Sequence, residues 1–267
     1  IGGDSGVLGR YLHDSTGASR SGIIPSLFGR ERYNEDGVGG MHMYTPWWGD
    51  NKKLDFARGY HIEYGGGMTQ PGYGEGSGMD SMRKYLKDEF GNPKEGGGYG
   101  EDLKKDIREI YGARIGMAGR GESVPRYENY CEIDPNTVDK YGIPVLRFNY
   151  NWTDQEIKQA KHMQDTFEEI LTNAGAIPLG DKQGPETQYG LAAPGRIIHE
   201  VGTVRMGNDP KSSVLNSNCQ AHDCGNLFVV DAGPFVSQAD KNPTWTILAL
   251  SWRTSEYIVD QLNKKNI

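Results

Sequence analysis

Three short stretches near the C-terminus decide the reading: His199–Gly207 (HEVGTVRMG), Asn226–Gly233 (NLFVVDAG) and Asn242–Leu250 (NPTWTILAL). Leu227 to Asp231 is a continuous apolar run, the pattern of a strand buried on both faces. Asn242 followed by Pro243 reads as N-cap and first helical residue, opening a helix from about Trp245 to Gln261. A strand ending at Asp231, Ala232 and Gly233 before such a helix start directs free N–H groups and a positive dipole end at whatever lies above it. That arrangement suits an electron-rich or anionic group. His199 closes an apolar stretch just before Gly202 and Thr203, where a backbone can approach a ligand closely. A lone histidine is more often structural than catalytic; its company with the second segment raises the case for catalysis.

The rest of the chain narrows the class. It has 267 residues and a formal net charge of −7, with 36% hydrophobic and 24% charged residues. No apolar run reaches the roughly 18–20 residues that span a bilayer. The acidic balance gives nucleic acid no basic face to bind. Three cysteines (Cys131, Cys219, Cys224) are too few for a disulfide scaffold and read as free thiols, with a Cys219–Cys224 bridge as the alternative. The chain begins with Ile1-Gly2-Gly3-Asp4, which reads as the middle of a longer polypeptide.

Residues 1–22 are polar and Gly/Ser-rich and read as an irregular lead-in. Large and polar residues alternate between Gly37 and Gly67, suggesting strands, and 65–78 is a glycine-rich loop. Helices are expected at about 80–90 and 101–111, then strands at 113–119, 129–134 and 145–150. The clearest helix is 154–174. Thr153 and Glu156 have capping-box spacing, Gly175 stands at C′, and Ala160, Met163, Phe167 and Leu171 belong to its apolar stripe.

Other chemistries find little footing. The glycine clusters at 74–78 and 96–100 neither follow a hydrophobic strand nor open a long helix, so no complete dinucleotide-binding unit is present. Cys219, His222 and Cys224 match no common zinc spacing, and no G-x-S-x-G elbow occurs. Asn151-Trp152-Thr153 meets the glycosylation pattern, a triplet that arises often by chance.

The three C-terminal blocks, in this order, resemble the C-terminal signature of glucose–methanol–choline (GMC) oxidoreductases. Looser likenesses lie at Leu8–Asp14, where Ser15 replaces a usual histidine, at Phe56–Tyr60 and at Asp139–Val145. The resemblance implies an α+β fold: an antiparallel-sheet substrate domain with helices on one side, plus the last strand and helix of a Rossmann-like FAD domain. The N-terminal half of that FAD domain, with its GxGxxG fingerprint, is not in this chain and would come from a partner chain or segment. The implied division is a linker from the FAD domain over 1–22, a substrate domain over 23–196, and the catalytic and FAD-domain segment over 197–267.

The implied activity is oxidation of a hydroxyl of a sugar, glycoside or polyol, with FAD as cofactor and hydride transfer to flavin N5. Carried over, His199 is the general base and Asn242 its partner on the substrate oxygen. Asp231, Ala232, Asn242, Pro243 and Thr244 lie against FAD. The Asn-Pro-Thr form resembles pyranose oxidases and bacterial sugar dehydrogenases. Tyr44, Trp47, Trp48 and Tyr64 are candidates for a sugar-stacking wall, against the plainer reading of core and sheet residues. A non-catalytic scaffold subunit and a lyase with structural flavin are the competing functions. The motifs identify neither the electron acceptor nor the cellular compartment; a bacterial periplasm is an analogy only.

Overall fold

The computed structural model describes residues 2, 5–30, 43–45, 53–66, 83–94 and 99–267. In chain order the described strands are β1 (Arg10–His13), β2 (Thr16–Ile23), β3 (Met43–Tyr44), β4 (Tyr60–Gly66), β5 (Arg114–Gly121), β6 (Tyr130–Val138), β7 (Pro144–Asn149), β8 (Ile177–Leu179), β9 (Val201–Thr203), β10 (Gln220–Ala221) and β11 (Cys224–Phe228). The helices are α1 (Gly100–Ile110), α2 (Asp154–Asn173) and α3 (Thr244–Asn263).

The largest sheet runs β3-β4-β5-β2-β8, and every pairing in it is antiparallel. Alternation sends Tyr60, Ile62, Met117 and Ala18 to one face, where they meet Ala160, Met163, Phe167 and Leu171 of α2 in a closed core. Each large side chain so buried contributes about 1.5–3 kcal/mol. Glycine lets the helix come this close. A Cβ at Gly119 would lie 2.5 Å from Met163 Sδ, and one at Gly22 2.7 Å from Leu171 Cδ2. The Thr153/Glu156 capping box is formed, and Gly175 has φ +63°. α1 packs through Ile110 on a second cluster with Ile23, Leu86 and Ala113.

β1 joins the two halves of the molecule. It is an inner strand of a second sheet, β7-β6-β1-β9, while β2 follows it directly into the first. The irregular lead-in expected over 1–22 is therefore strand at 10–13 and 16–23. Its glycines, serines and alanine imitate a loop, but two of the glycines are required by packing: Gly22 lies against Leu171 of α2, and a Cβ at Gly17 would lie 2.4 Å from Ile197 Cδ1.

Two further expectations are corrected. Of the expected helix at 80–90, residues 80–82 lie outside the described residues, Arg83 is helical, and 84–90 is turn structure with an isolated Lys87–Pro93 bridge. Asp88 Oδ1 accepts the backbone N–H of Phe90 at 2.9 Å and of Asn92 at 2.8 Å, a local bonding pattern that competes with a helix. The buried strand expected at 227–231 is instead β11, ending at Phe228 and paired only with β10, and Leu227 is exposed. Phe228 meets Tyr257 edge-on, and Val229 is partly buried against the cluster of Val7, Val214, Leu215 and Ala221. All three cysteines are free, and no helix among the described residues is long and apolar enough to cross a membrane.

Candidate active site around His199

His199 lies between two strained residues. Ile198 has φ +60° and Thr203 φ +77°, left-handed values that cost a β-branched side chain of order 1–3 kcal/mol each. The surroundings fix them. Gly9 N–H donates to Thr203 O at 2.6 Å, and Gly202 N–H to Ala232 O at 3.1 Å. Gly202, with φ +92°, admits no side chain, since its Cβ would lie 2.3 Å from Tyr11 O. The close approach expected at Gly202 is thus to the backbone of β1, not to a ligand.

Asp14, buried between β1 and β2, anchors the histidine by its backbone. Its Oδ1 accepts the N–H of Ser15 at 2.7 Å and of His199 at 3.1 Å. Ser15 Oγ stands 3.3 Å from His199 Nδ1 and accepts from Gln238 Nε2 at 3.1 Å. Burial and the Arg120 guanidinium lower the His199 pKa, so the ring is neutral at neutral pH. Burial, aided by the Glu200 charge, pushes the Asp14 carboxyl up from 3.8 to about 6. His13 is driven the other way, to about 4, chiefly by burial.

A second polar cluster lies in the same field. Buried His61 places Nδ1 3.2 Å from Asp240 Oδ2 and Nε2 3.3 Å from Glu63 Oε1. Lys241 Nζ donates to Asp240 Oδ2 at 2.7 Å, and Arg120 Nε is 3.8 Å from Glu63 Oε2. Glu63, Arg120 and His61 all act electrostatically on His199. The segment 238–242 therefore touches both clusters, Gln238 at Ser15 and Asp240 at His61, and delivers Asn242 to the start of α3. Among the described residues no hydrogen bond joins His199 to Asn242; the connecting chain is Gln238 and Ser15.

Asn242 is exposed, and the assigned N-cap is Pro243, one residue later than expected and without a side-chain cap bond. Pro243 already has helical dihedrals (φ −79°, ψ −16°), as suits a proline in a first turn. Asp231 is exposed and its Oδ1 accepts Gly233 N–H at 2.7 Å, while Ala232 latches its carbonyl to Gly202. Thr244 opens α3 and is exposed.

A cleft of about 530 Å³ opens on the first sheet, lined among others by Ser19, Ser21, Glu63, Gly116, Ala118 and Arg120. Glu63 and Arg120 link it to the field at His199. Tyr44 is half exposed, its ring 4.9 Å from His61. Tyr64 packs against the core cluster under α2 and does not line the cleft. Trp47 and Trp48 lie outside the described residues. Among these residues no group of three His, Cys, Asp or Glu could hold a metal.

Asp14, Ser15, His61, Glu63, Arg120 and Gln238 do not stand out in the sequence as site residues. The alternation His61–Glu63 between Tyr60, Ile62 and Tyr64 was a usable signal for a polar strand face. The other four meet across distances in sequence that no local pattern records.

Residues 125–251 match the family model described as GMC oxidoreductase. This stretch is similar to the GMC oxidoreductases. Similar proteins include the gluconate 2-dehydrogenase flavoprotein of Pantoea cypripedii, 30% identical over 173 residues, which is 64% of this chain and 28% of that protein. The C-glycoside 3-oxidase of Arthrobacter globiformis is 33% identical over 166 residues, 60% of this chain and 30% of that protein. The chain thus spans less than a third of the length of these relatives. A solved formate oxidase from Aspergillus oryzae RIB40 superposes with TM-score 0.53 at 13% identity, covering 97% of this chain and 48% of that one. That likeness shows a shared fold.

Proposed function

We propose that this chain is the substrate-side and C-terminal part of an FAD-dependent oxidoreductase that oxidises a hydroxyl of a sugar, glycoside or polyol to a carbonyl. The observation that carries the reading is a neutral, half-buried His199, anchored by Asp14 and Ser15, in the field of a polar cleft. The names of the gluconate dehydrogenase flavoprotein and the C-glycoside oxidase support the cofactor and the substrate class.

The residues fit FAD. Gln238 Oε1, Asp14 Oδ2 and His13 Nε2 are buried and lack hydrogen-bond partners, so the polar surroundings of His199 are incomplete as they stand. α3 presents an exposed first turn and exposed Trp245, Leu248 and Trp252 to whatever adjoins it. Asp231, Ala232, Asn242, Pro243 and Thr244 would hold the cofactor, with a partner chain or segment supplying the GxGxxG half. Bound FAD supplies the acceptor for hydride; the protein orients and polarises.

His199 takes the hydroxyl proton as the alcohol carbon is oxidised. A lowered pKa keeps the imidazole ready as a base near neutrality, a contribution of about 10²–10⁴ in rate. Asn242, whose amide donates without competing for the proton, orients the same oxygen. Glu63 and Arg120, with the serines and small side chains of the cleft, give a hydroxyl-rich substrate donors and acceptors along its length. The Tyr44 ring, 4.9 Å from that of His61, adjoins this polar cluster. The test is anaerobic mixing of the flavin-loaded full-length protein with aldoses, glycosides and polyols. Bleaching of the flavin absorbance by one of these classes is expected. A protein that binds no flavin, or that turns a substrate over without bleaching, would replace the oxidoreductase with a scaffold or a lyase.

A further inference from the structure

The face of the first sheet turned away from α2 carries polar and small side chains. Strand register sets Glu63 of β4 beside Ala118 of β5, and Ala118 beside Ser19 of β2. In the next row of that face Gly116 lies beside Ser21, and in the row on the other side Arg120 lies between His61 and Gly17. Neighbouring strands are about 4.8 Å apart, so Glu63 and Ser19 stand roughly 10 Å apart across an alanine. Glu63, Ala118, Ser19, Gly116, Ser21 and Arg120 all line the cleft of about 530 Å³. It is a smooth floor between polar walls, on which a pyranose ring can lie.

Glu63 has an open position toward this floor. Its side chain is only 10% exposed, and Oε1 is engaged with His61 Nε2 at 3.3 Å. Oε2 has no hydrogen bond among the described residues, and its ion-pair partner, Arg120 Nε, stands off at 3.8 Å. A carboxylate oxygen so enclosed needs a donor. Arg120 places the pair near the base. A Cβ at Gly17 would lie 3.2 Å from Arg120 Nη1 and 2.4 Å from Cδ1 of Ile197, two residues before His199. A carboxylate only accepts and a guanidinium only donates, whereas a hydroxyl does both. We infer that Glu63 and Arg120 recognise a vicinal diol of the sugar being oxidised: Glu63 Oε2 accepts from one hydroxyl, and Arg120 donates to the oxygen on the neighbouring carbon. This rests on the sugar-oxidising function proposed above. Both residues determine specificity, and neither takes the proton that His199 removes.

The test is calorimetric binding to the flavin-loaded full-length protein, with the flavin chemically reduced so that no probe is turned over. The probes are the methyl glycosides of glucose, galactose, mannose and xylose, then the monodeoxy analogues of the tightest binder. In the wild type, deoxygenation at one carbon should weaken binding by roughly tenfold or more, because it leaves a charged group unpaired. Glu63→Ala should weaken the parent glycoside by a similar factor and cancel the difference between it and that deoxy analogue. Arg120→Met should do the same for the analogue lacking the hydroxyl on the neighbouring carbon. A Glu63 that merely held the fold would weaken every analogue equally. Deoxy analogues that all bind within about threefold of the parent, or a deoxy loss undiminished in Glu63→Ala, would overturn the inference. So would a failure of all these glycosides to bind. The wild-type series alone decides if Glu63→Ala does not fold. Glycosides that bleach the oxidised flavin yet show no deoxy effect sink only this inference, whereas a protein that binds no flavin sinks the proposed function itself.

Discussion

α2 and α3 are both 20 residues long, yet they occupy opposite environments. α2 buries seven residues under the first sheet and starts at a formed capping box. α3 is the more apolar in sequence, but buries only Thr254 and leaves Trp245 82% and Trp252 72% exposed. Its ties to the rest are few, such as Thr254 Oγ1 to Asn218 O at 3.2 Å and an edge contact of Tyr257 with Phe228. A contiguous apolar surface of this kind marks an interaction site. The pair separates what this sequence folds by itself from what it presents to another surface, which under the proposed function is the GxGxxG-bearing half.

The largest expected effect breaks or upholds this contrast directly. Phe167→Ala, in the core under α2, should cost about 3–5 kcal/mol in denaturant unfolding of this chain. Trp252→Ala should stay within about 0.5 kcal/mol there, while weakening flavin retention in the full-length protein. Equal losses in this chain would erase the distinction.

The seam between the two regions comes next. Gly202→Ala forces a Cβ against Tyr11 O at φ +92° and should cost about 2–4 kcal/mol by the same assay. Asp14 gives the seam a pH signature. Its folded pKa is raised from 3.8 to about 6, so its favourable contribution is complete below the unfolded value and disappears as pH rises through about 6. Asp14→Asn, which keeps the acceptor, should therefore gain on the wild type by about 2–3 kcal/mol between pH 4 and pH 7. Unfolding curves at the two pH values check the sign. The smallest effect concerns the helix starts. Thr153→Ala should cost about 1 kcal/mol through the lost capping box, whereas Asn242→Ala, at an uncapped start, should leave stability unchanged and lower turnover.

The same contrast explains what could be read from residue order. α2 was legible to its caps because the periodicity of Ala160, Met163, Phe167 and Leu171 and the Thr153/Glu156 spacing are local signals of a surface that the chain itself covers. β5 was legible for the same reason, and β6 and β7 from alternation alone, since Ile133, Leu146 and Phe148 are exposed. β2 was not, since packing against α2 and Ile197 demands Gly22 and Gly17, which make the strand look like a loop. Val229 and Val230 read as part of a strand buried on both faces, but β11 ends at Phe228 and pairs only with β10, and Val229 is only partly buried against Val7, Val214, Leu215 and Ala221. At the site, His199 and Asn242 were visible through blocks of sequence. Ser15, Asp14 and Gln238 were not, because their roles come from contacts between positions 14–15, 199 and 238 that only the folded chain creates.

The central claim is that the imidazole of His199 takes the proton of the alcohol being oxidised. Stopped-flow flavin reduction in the full-length His199→Ala protein measures it most directly. The account predicts that flavin stays bound and that the reduction rate falls by about 10²–10⁴. Reduction at close to the wild-type rate, with flavin equally bound, would contradict it.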